Sequence, residues 1–415
     1  MKRKIKVKNV IILLFIVVLI IGVLVFSLKD KKLDNENNND QEETITDFKD
    51  MALSEVEEYA NKKNFELEVT YQYSDIEKNK VISSKTLDQK IEIVVSKGAI
   101  PYQEYKDKNV NELGEVPIMM YHGIVDTTEN EYTGGNVDKD GYNRTSNAFL
   151  EDLEFYYEKG YRMIRLSDYV NGKIDVELGF SPIILTFDDG NANNFKVIGR
   201  NEDGTLKFDP KSAIGILESI KEKYKDFNVT ATFFLNSSLC NQPEYDEEII
   251  KWLVSNGYDV GNHTTNHANF SNIDTTKTQE VVGKMYNTLE SIIPGKYVNI
   301  VALPFGSPYK KTHANYPYIL NGEYDGKTYE TKAALRVGWE SELSPFDSSF
   351  DPTFLKRCRA YDNNGKDFDI EMNFKLLDKD RYISDGDIDA IVVPRNLESK
   401  LKETDLNVIT YEEEK

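Results

Sequence analysis

The sequence predicts an α/β protein built on a parallel sheet, preceded by a small α+β domain and an apolar N-terminal segment. From residue 116 to about 398, short apolar runs alternate with stretches whose apolar residues recur at helical spacing. This alternation is typical of strand–helix units and of a parallel sheet, closed into a barrel or open. Residues 47–99 instead contain one helical pattern followed by strand patterns, and residues 10–28 carry no charge.

The N-terminus predicts a single-pass membrane anchor. Residues 1–9 carry five lysines and arginines, and residues 10–28 are long enough to cross a bilayer. Positive charge on that side places residues 1–9 in the cytoplasm and the rest of the chain outside the cell. A cleaved signal peptide is the alternative, but the apolar core is long and no small-x-small cleavage site follows it. Residues 29–46 are charged and Asn-rich, which predicts a flexible linker.

Residues 47–99 predict a small folded domain. Leu53, Val56 and Ala60 lie on one helical stripe, and "FELEVTYQY" alternates apolar and polar residues as a half-buried strand does. The order of helix, strand, a turn before "VIS" and a closing strand that ends in "VSKG" resembles a single PASTA domain. One departure is "SKTLDQK" in place of the usual Pro-Gly-rich turn. The resemblance implies a module outside a bacterial cell that is associated with peptidoglycan, either as a glycan binder or as a spacer.

Composition excludes one class of partner. The formal net charge is -20, so the phosphates of a nucleic acid would be repelled.

The chain has only four histidines, and two of them lie four residues apart in "HTTNH". That scarcity makes a chance pairing of His263 and His267 improbable.

Polar residues follow several of the predicted strands directly. Asp188 and Asp189 end the run "PIILTF", His263 follows "GYDVGN", His122 follows "VPIMMY", and Pro304–Phe305–Gly306 follow "VNIVAL". In a β/α barrel the functional side chains lie where strands end and βα loops begin. We therefore expect these four strand ends to meet at one rim.

The two histidines and one aspartate form a candidate metal site. A four-residue separation on a helical turn would place both imidazoles on one face, in position to bind one divalent ion. A catalytic site needs a third, anionic ligand and an open position for water. One of the two adjacent aspartates can supply that ligand, and the other can then accept a proton from the water.

The order "ILTFDDG", "ATFFLN", "GYDVGNHTTNH" and "LPFG" resembles the polysaccharide deacetylases of the NodB-like carbohydrate esterase group, over residues 116–398. The resemblance implies a distorted (β/α)7-type barrel. It implies one divalent ion, most often zinc, held by Asp189, His263 and His267, with Asp188 as the general base. The implied substrate is an N-acetylated sugar that loses acetate.

Two departures from the family pattern affect the remaining roles. Ala302 stands where most members have an arginine, and no histidine follows His313 to serve as the usual C-terminal general acid. "PIMMYHG" resembles the opening strand of the permuted branch, typified by deacetylases of poly-N-acetylglucosamine, in which an early histidine is the acid. This resemblance assigns the acid role to His122.

Three further residues are candidates for contacts with the substrate or the oxyanion: Phe305, Gly306 and Arg357. Backbone N–H groups near Phe305 would help the metal to stabilise the developing charge. Arg357 lies in a segment that resembles one where family members place an arginine near the site. It could alternatively orient Asp188 or be purely structural.

The predicted function is a membrane-anchored, extracellular N-deacetylase. The anchor and the PASTA-like domain favour peptidoglycan as substrate, whereas the permuted-type motif favours poly-N-acetylglucosamine. A non-catalytic wall-binding or sensing protein with a degenerate deacetylase domain is the alternative. A glycosidase fits less well, because its two carboxylates lie on opposite sides of a bond and are not adjacent in sequence. Residues 399–415 read as a charged tail.

Overall fold

The computed structural model describes residues 47–128 and 142–412. The chain divides into two compact units, Met1–Ile100 and Pro101–Lys415. The predicted cytoplasmic segment 1–9, transmembrane helix 10–28 and linker 29–46 lie outside the described residues. Within the described residues, no helix is both long and apolar enough to cross a membrane.

The first unit is a small α+β domain. Helix α1 spans Leu53–Lys63, and the strands are β1 (Glu66–Gln72), β2 (Val81–Leu87) and β3 (Lys90–Ser96). β3 lies in the middle of the sheet, parallel to β1 and antiparallel to β2. Its core consists of Phe48, Val56, Ala60, Val81, Ile91, Ile93 and Val95. The predicted helix and strands are present, and the assignment of this unit to the PASTA family stays a prediction.

The second unit contains the strands of the predicted parallel sheet. Its strands are β4 (Ile118–Tyr121), β5 (Gly123–Val125), β6 (Asn143–Thr145), β7 (Tyr161–Met163), β8 (Ser181–Phe187), β9 (Val197–Arg200), β10 (Leu206–Phe208), β11 (Thr232–Leu235), β12 (Asp259–Asn262), β13 (Ile300–Ala302), β14 (Asn321–Tyr324), β15 (Lys327–Glu330), β16 (Ala333–Leu335), β17 (Cys358–Arg359), β18 (Ala390–Pro394) and β19 (Asn407–Tyr411).

Eight of these strands form one parallel sheet. Along the sheet the order is β16-β13-β12-β11-β8-β4-β17, and β7 pairs with the first half of β8. The sheet curls into a half-barrel. Leu355, just before β17, also forms a parallel bridge with Leu335 of β16, so the segment 355–359 contacts both ends of the sheet. The sequence predicted a distorted (β/α)7-type barrel, and the structure supports the coarser description of a curled parallel half-barrel.

Helices cover this sheet. They are α2 (Tyr102–Lys108), α3 (Ser146–Glu158), α4 (Leu166–Val170), α5 (Ala213–Lys223), α6 (Asp246–Ser255), α7 (Thr275–Ile292), α8 (Tyr316–Leu320) and α9 (Ile370–Asp380). Both faces of the strands are buried, which explains their continuous apolar runs. Leu185 and Phe233 pack in the core shared with the helices, whereas their neighbours Ile184 and Phe234 pack in a second core with residues from both ends of the sheet.

Several strand pairs lie outside the main sheet, among them the antiparallel pair β9–β10. Residues 399–415 were predicted to be a charged tail, but within them β19 pairs in parallel with β18. The physical reason is that Ile409 and Tyr411 are buried and alternate with the exposed Val408 and the half-buried Thr410. The Tyr411 hydroxyl also donates a hydrogen bond to the Val110 carbonyl at 2.8 Å.

Candidate metal centre and active site

Asp188 lies at the end of the buried strand β8 and is itself only 2% exposed. Its backbone N–H donates to the Tyr121 carbonyl of β4 at 3.0 Å, which ties the two strand ends together. Two nitrogens of Arg357 donate to its two carboxylate oxygens at 2.8 and 2.7 Å. Burial opposes ionisation, but attraction and hydrogen bonding by Arg357 outweigh it, so the pKa of Asp188 lies well below its ordinary value. Asp188 is therefore a fixed, ionised carboxylate.

Arg357 is fully buried. Its Nε donates to the Arg336 carbonyl at 2.8 Å, and its Nη1 also lies 3.2 Å from the Thr186 hydroxyl. The guanidinium thus has a partner on each side. A buried bidentate pair of this kind sets both the position and the orientation of the carboxylate. Of the uses considered for Arg357 from the sequence, the structure places it against Asp188.

Asp189 points in a different direction from Asp188 because the chain turns sharply between them. Asp189 has φ +73° and Gly190 has φ +66°, both in the left-handed region. A Cβ atom at Gly190 would lie 1.8 Å from the Leu239 carbonyl oxygen, so only glycine fits there. The turn is held by Asn236, whose side chain donates to the Asp189 carbonyl at 3.1 Å. Asn241 donates in the same way to the Gly190 carbonyl at 2.8 Å.

Both histidines of "HTTNH" reach the carboxylate of Asp189. The Nε2 atoms of His263 and His267 lie 3.2 and 3.3 Å from its Oδ1. The helical turn predicted for this segment was wrong. Residues 265–267 form an irregular 3₁₀ turn, with φ +62° at Asn266 and +49° at His267. The left-handed residues, not helical spacing, bring the two rings to a centroid distance of 4.8 Å.

The donor set fits a divalent cation. The three ligand atoms of Asp189, His263 and His267 lie within 4.8 Å of one another. His263 Nδ1 is 2.9 Å from the Ala302 carbonyl, which can only accept, so Nδ1 carries the proton. Its buried Nε2 then presents a lone pair to a carboxylate oxygen and has no hydrogen-bond partner among the described residues. A cation bound between the imidazole and the carboxylate would pair with both lone pairs, and two imidazoles with one carboxylate are ligands typical of zinc.

His122 lies on the other side of Asp188 from the metal ligands. It follows β4, is 7% exposed, and its Nε2 is 4.0 Å from Asp188 Oδ2. Its ring meets that of Tyr142 edge to face at 4.9 Å. Burial lowers the pKa of His122, although Asp188 and Asp189 attract the protonated form. The uncharged imidazole is thus favoured before substrate binds.

Phe305 and Gly306 follow β13 and border the metal ligands. Phe305 is 53% exposed, and its ring lies 4.5 Å from that of His267. The Gly306 N–H donates to the Leu303 carbonyl at 2.8 Å. Of these two residues, Phe305 is therefore the one left to offer a backbone N–H to an oxyanion.

The sequence analysis missed Asn194, although it lies in the same polar run as the two aspartates. This fully buried side chain donates to the His122 carbonyl at 2.6 Å and accepts from the Ile124 N–H at 3.0 Å. It ties the loop that carries His122 to the segment that carries Asp188 and Asp189. Its only signal in the sequence is its place in "DDGNANN", where a buried amide cannot be told from a loop residue.

Part of the sequence is similar to known polysaccharide deacetylases. Residues 175–317 match the family model described as polysaccharide deacetylase. A peptidoglycan-N-acetylglucosamine deacetylase of Bacillus cereus is 29% identical over 126 residues, which make up 29% of this chain and 37% of that relative.

Two solved structures have low sequence identity. The deacetylase PplD of Streptococcus pyogenes, in complex with acetate, has 16% identity and a TM-score of 0.45, and the match covers 64% of this chain and 98% of that one. A de-N-acetylase of Aggregatibacter actinomycetemcomitans has 13% identity and a TM-score of 0.41, and the match covers 63% of this chain and 99% of that one.

Residues 175–317 are therefore similar to polysaccharide deacetylases, which are hydrolases that act on carbon–nitrogen bonds. The matched segment contains the three candidate metal ligands and Asp188, whereas His122 and Arg357 lie outside it. The chain spans 37% of the length of the Bacillus cereus relative, and both TM-scores are below 0.5. The similarity to polysaccharide deacetylases therefore rests on the family-model match over residues 175–317.

Proposed function

We propose that this protein is a metal-dependent N-deacetylase of N-acetylated amino sugars in a bacterial cell-surface polysaccharide. The observation that carries the proposal is the paired arrangement of the two aspartates. Asp189 faces His263 and His267, while Asp188 is held ionised by Arg357 on the other side of the turn. A scaffold that only binds glycan has no need for this division between a metal ligand and a fixed base.

We propose one task for each side chain of the site. A divalent ion bound by Asp189, His263 and His267, which we propose to be zinc, would polarise a water molecule and the acetamide carbonyl. Asp188 is positioned to accept the proton of the attacking water, and Arg357 keeps its carboxylate oriented for that transfer. The exposed Phe305 borders the metal ligands, where its backbone N–H can stabilise negative charge on the former carbonyl oxygen.

His122 is the residue proposed to protonate the departing nitrogen. An amine leaves poorly unless it is protonated. Because burial favours the uncharged imidazole, His122 would receive a proton during the reaction from Asp188, 4.0 Å away. It would then donate that proton from Nε2 to the sugar nitrogen, and acetate and a free amine would result.

The polymer and the location are part of the proposal. The uncleaved anchor at residues 10–28 would hold the domain at the outer face of the cell membrane. The PASTA-like unit favours peptidoglycan as the substrate, and "PIMMYHG" favours poly-N-acetylglucosamine. The B. cereus relative named above is a peptidoglycan deacetylase, and we therefore place peptidoglycan first.

Acetate release from a panel of N-acetylated polymers tests the function. We expect the full chain to release acetate from peptidoglycan or poly-N-acetylglucosamine. Acetate release should stop after chelation and recover when zinc is added back. Release that continues undiminished in metal-stripped protein would contradict the mechanism. Intact metal binding with no acetate from any polymer would favour the non-catalytic alternative.

His122→Ala tests the proposed acid. We expect turnover to fall by about 100-fold or more, the usual contribution of a positioned acid. Metal content should stay at the wild-type level, because His122 is not one of the three proposed ligands. His122→Gln is the matched control for lost volume, and it should be as inactive as the alanine variant. Loss of metal from both variants would assign His122 a structural role instead.

A further inference from the structure

A cavity of about 480 Å³ lies between helix α7, the residue before β13, and the hairpin β14–β15. Its size is that of a small-molecule site. Nothing in the proposed mechanism uses it. The residues that give it its chemistry are Tyr286, Asn287, Glu290, Tyr297, Asn299 and Tyr329.

Three tyrosine rings form a rigid cup. Tyr286 is only 4% exposed and forms the floor, with the rings of Tyr297 and Tyr329 each at a centroid distance of 5.7 Å. Two of the hydroxyls are occupied: that of Tyr286 pairs with Thr331, and that of Tyr329 donates to the Tyr318 carbonyl. Because these rings are already fixed, a ligand would not lose affinity in ordering them.

The polar groups of the cavity are still available. Neither side-chain amide, of Asn287 or of Asn299, has a hydrogen-bond partner among the described residues. The charged residues that line the cavity are Glu290, Lys327 and Glu330, so they carry no excess of positive charge. The cavity therefore suits an uncharged ligand that has one apolar face and several hydrogen-bonding groups. A pyranose ring with hydroxyl and acetamide substituents has these properties.

The cavity and the metal site lie at opposite ends of one strand. Asn299 comes just before β13, and Ala302, the last residue of that strand, accepts the hydrogen bond of His263. Three residues of strand span roughly 10 Å. This direct path runs through a buried strand, so a glycan that contacts both ends has to pass around the outside of the domain. A polymer can be long enough for that route, whereas a disaccharide at the metal site is not.

We propose that this cavity is a second glycan-binding site, which takes an uncharged N-acetylated sugar unit of the polymer. The identity of the polymer rests on the proposed deacetylase function. Binding here would raise the effective concentration of further sugar units near the metal site without any new contact to the reacting atoms. It would lower KM for long substrates and leave kcat unchanged.

The test compares a cavity variant on long and short substrates. In full-length protein, Asn287→Ala with Asn299→Ala removes two hydrogen-bonding amides, and we expect KM for polymeric substrate to rise about tenfold. The kcat value on the polymer, and kcat/KM on N,N′-diacetylchitobiose, should stay at wild-type values. Asn407→Ala, an exposed asparagine on β19, is the control and should change neither. An equal loss on both substrates, or no loss on either, would overturn the proposal.

A binding measurement separates this site from the deacetylase function. Asp188→Asn protein, which we expect to be inactive, is retained on insoluble chitin or peptidoglycan and eluted with N-acetylchitotetraose. Adding Tyr297→Leu should reduce retention about tenfold, and Tyr297→Phe, which keeps the ring, should restore it. This result is readable even if no acetate is ever released. Equal retention of the leucine and phenylalanine variants would exclude stacking on this ring and overturn the site.

Discussion

Asp188 and Asp189 are neighbours in the chain and lie in opposite environments. Asp188 is buried, and both of its oxygens accept from one guanidinium. The side chain of Asp189 is 32% exposed, and one of its oxygens faces two imidazole nitrogens. A single left-handed residue separates these environments, since φ +73° at Asp189 turns its carboxylate away from that of Asp188. Two adjacent carboxylates can therefore both be ionised, because Asp188 is paired with Arg357 and Asp189 lies at the proposed metal position.

Exchanging each carboxylate for its amide gives the largest expected effect and separates the two roles. Asp188→Asn should lower kcat by about 10³-fold, since it removes the base. Metal content should be retained, because the three ligands are untouched. Asp189→Asn should weaken metal affinity by about 100-fold, because it replaces the only anionic ligand of the proposed set with a neutral amide. Activity assays with metal analysis on both proteins decide the matter. If the two variants lost metal equally, the proposed division of labour would be wrong.

The buried ion pair should show the next largest effect, on stability. Arg357→Met leaves the Asp188 carboxylate buried without its partner, and we expect unfolding free energy to fall by about 3–5 kcal/mol. The double variant Asp188→Asn with Arg357→Met should recover part of this loss, because no unpaired charge remains. Urea denaturation followed by tryptophan fluorescence suits this measurement, since both tryptophans, Trp252 and Trp339, lie in the larger unit. Equal stability of the single and double variants would show that the pair is not coupled.

The sequence predicted well which polar residues lie together at the strand ends, and it predicted poorly which residues hold them in position. His122, Asp188, His263 and Phe305 follow the four strands β4, β8, β12 and β13, which the structure places within one sheet. Strand periodicity and the position of polar residues at strand ends contain that information. The partner of Asp188 could not be predicted in the same way. Arg357 comes from the segment before β17, which pairs with β4 although the two strands lie far apart in the chain, and no local pattern encodes that neighbour.

Backbone conformation accounts for the other errors. The spacing of "HTTNH" fits a helical turn, yet its rings converge through residues of positive φ, which the side-chain pattern does not reveal. The fully buried Asn194 reads as a loop residue because its two partners are backbone groups of a distant strand end. Such contacts depend on the tertiary fold, and propensities of single residues do not report them.

The smallest expected effect tests whether that left-handed turn really sets the spacing of the two histidines. Asn266 has φ +62°, which asparagine and glycine tolerate better than alanine does. Asn266→Ala should therefore reduce stability by about 1 kcal/mol and weaken metal binding about fivefold, because the strained backbone relaxes and moves His267. Asn266→Gly keeps the conformation accessible, and its metal affinity should stay within about twofold of wild type. Metal titration of the two variants at equal protein concentration distinguishes them. If the alanine variant bound metal as tightly as the glycine variant does, the turn would not set the spacing of His263 and His267. Packing against Phe305, whose ring lies 4.5 Å from that of His267, would then have to hold the two histidines together.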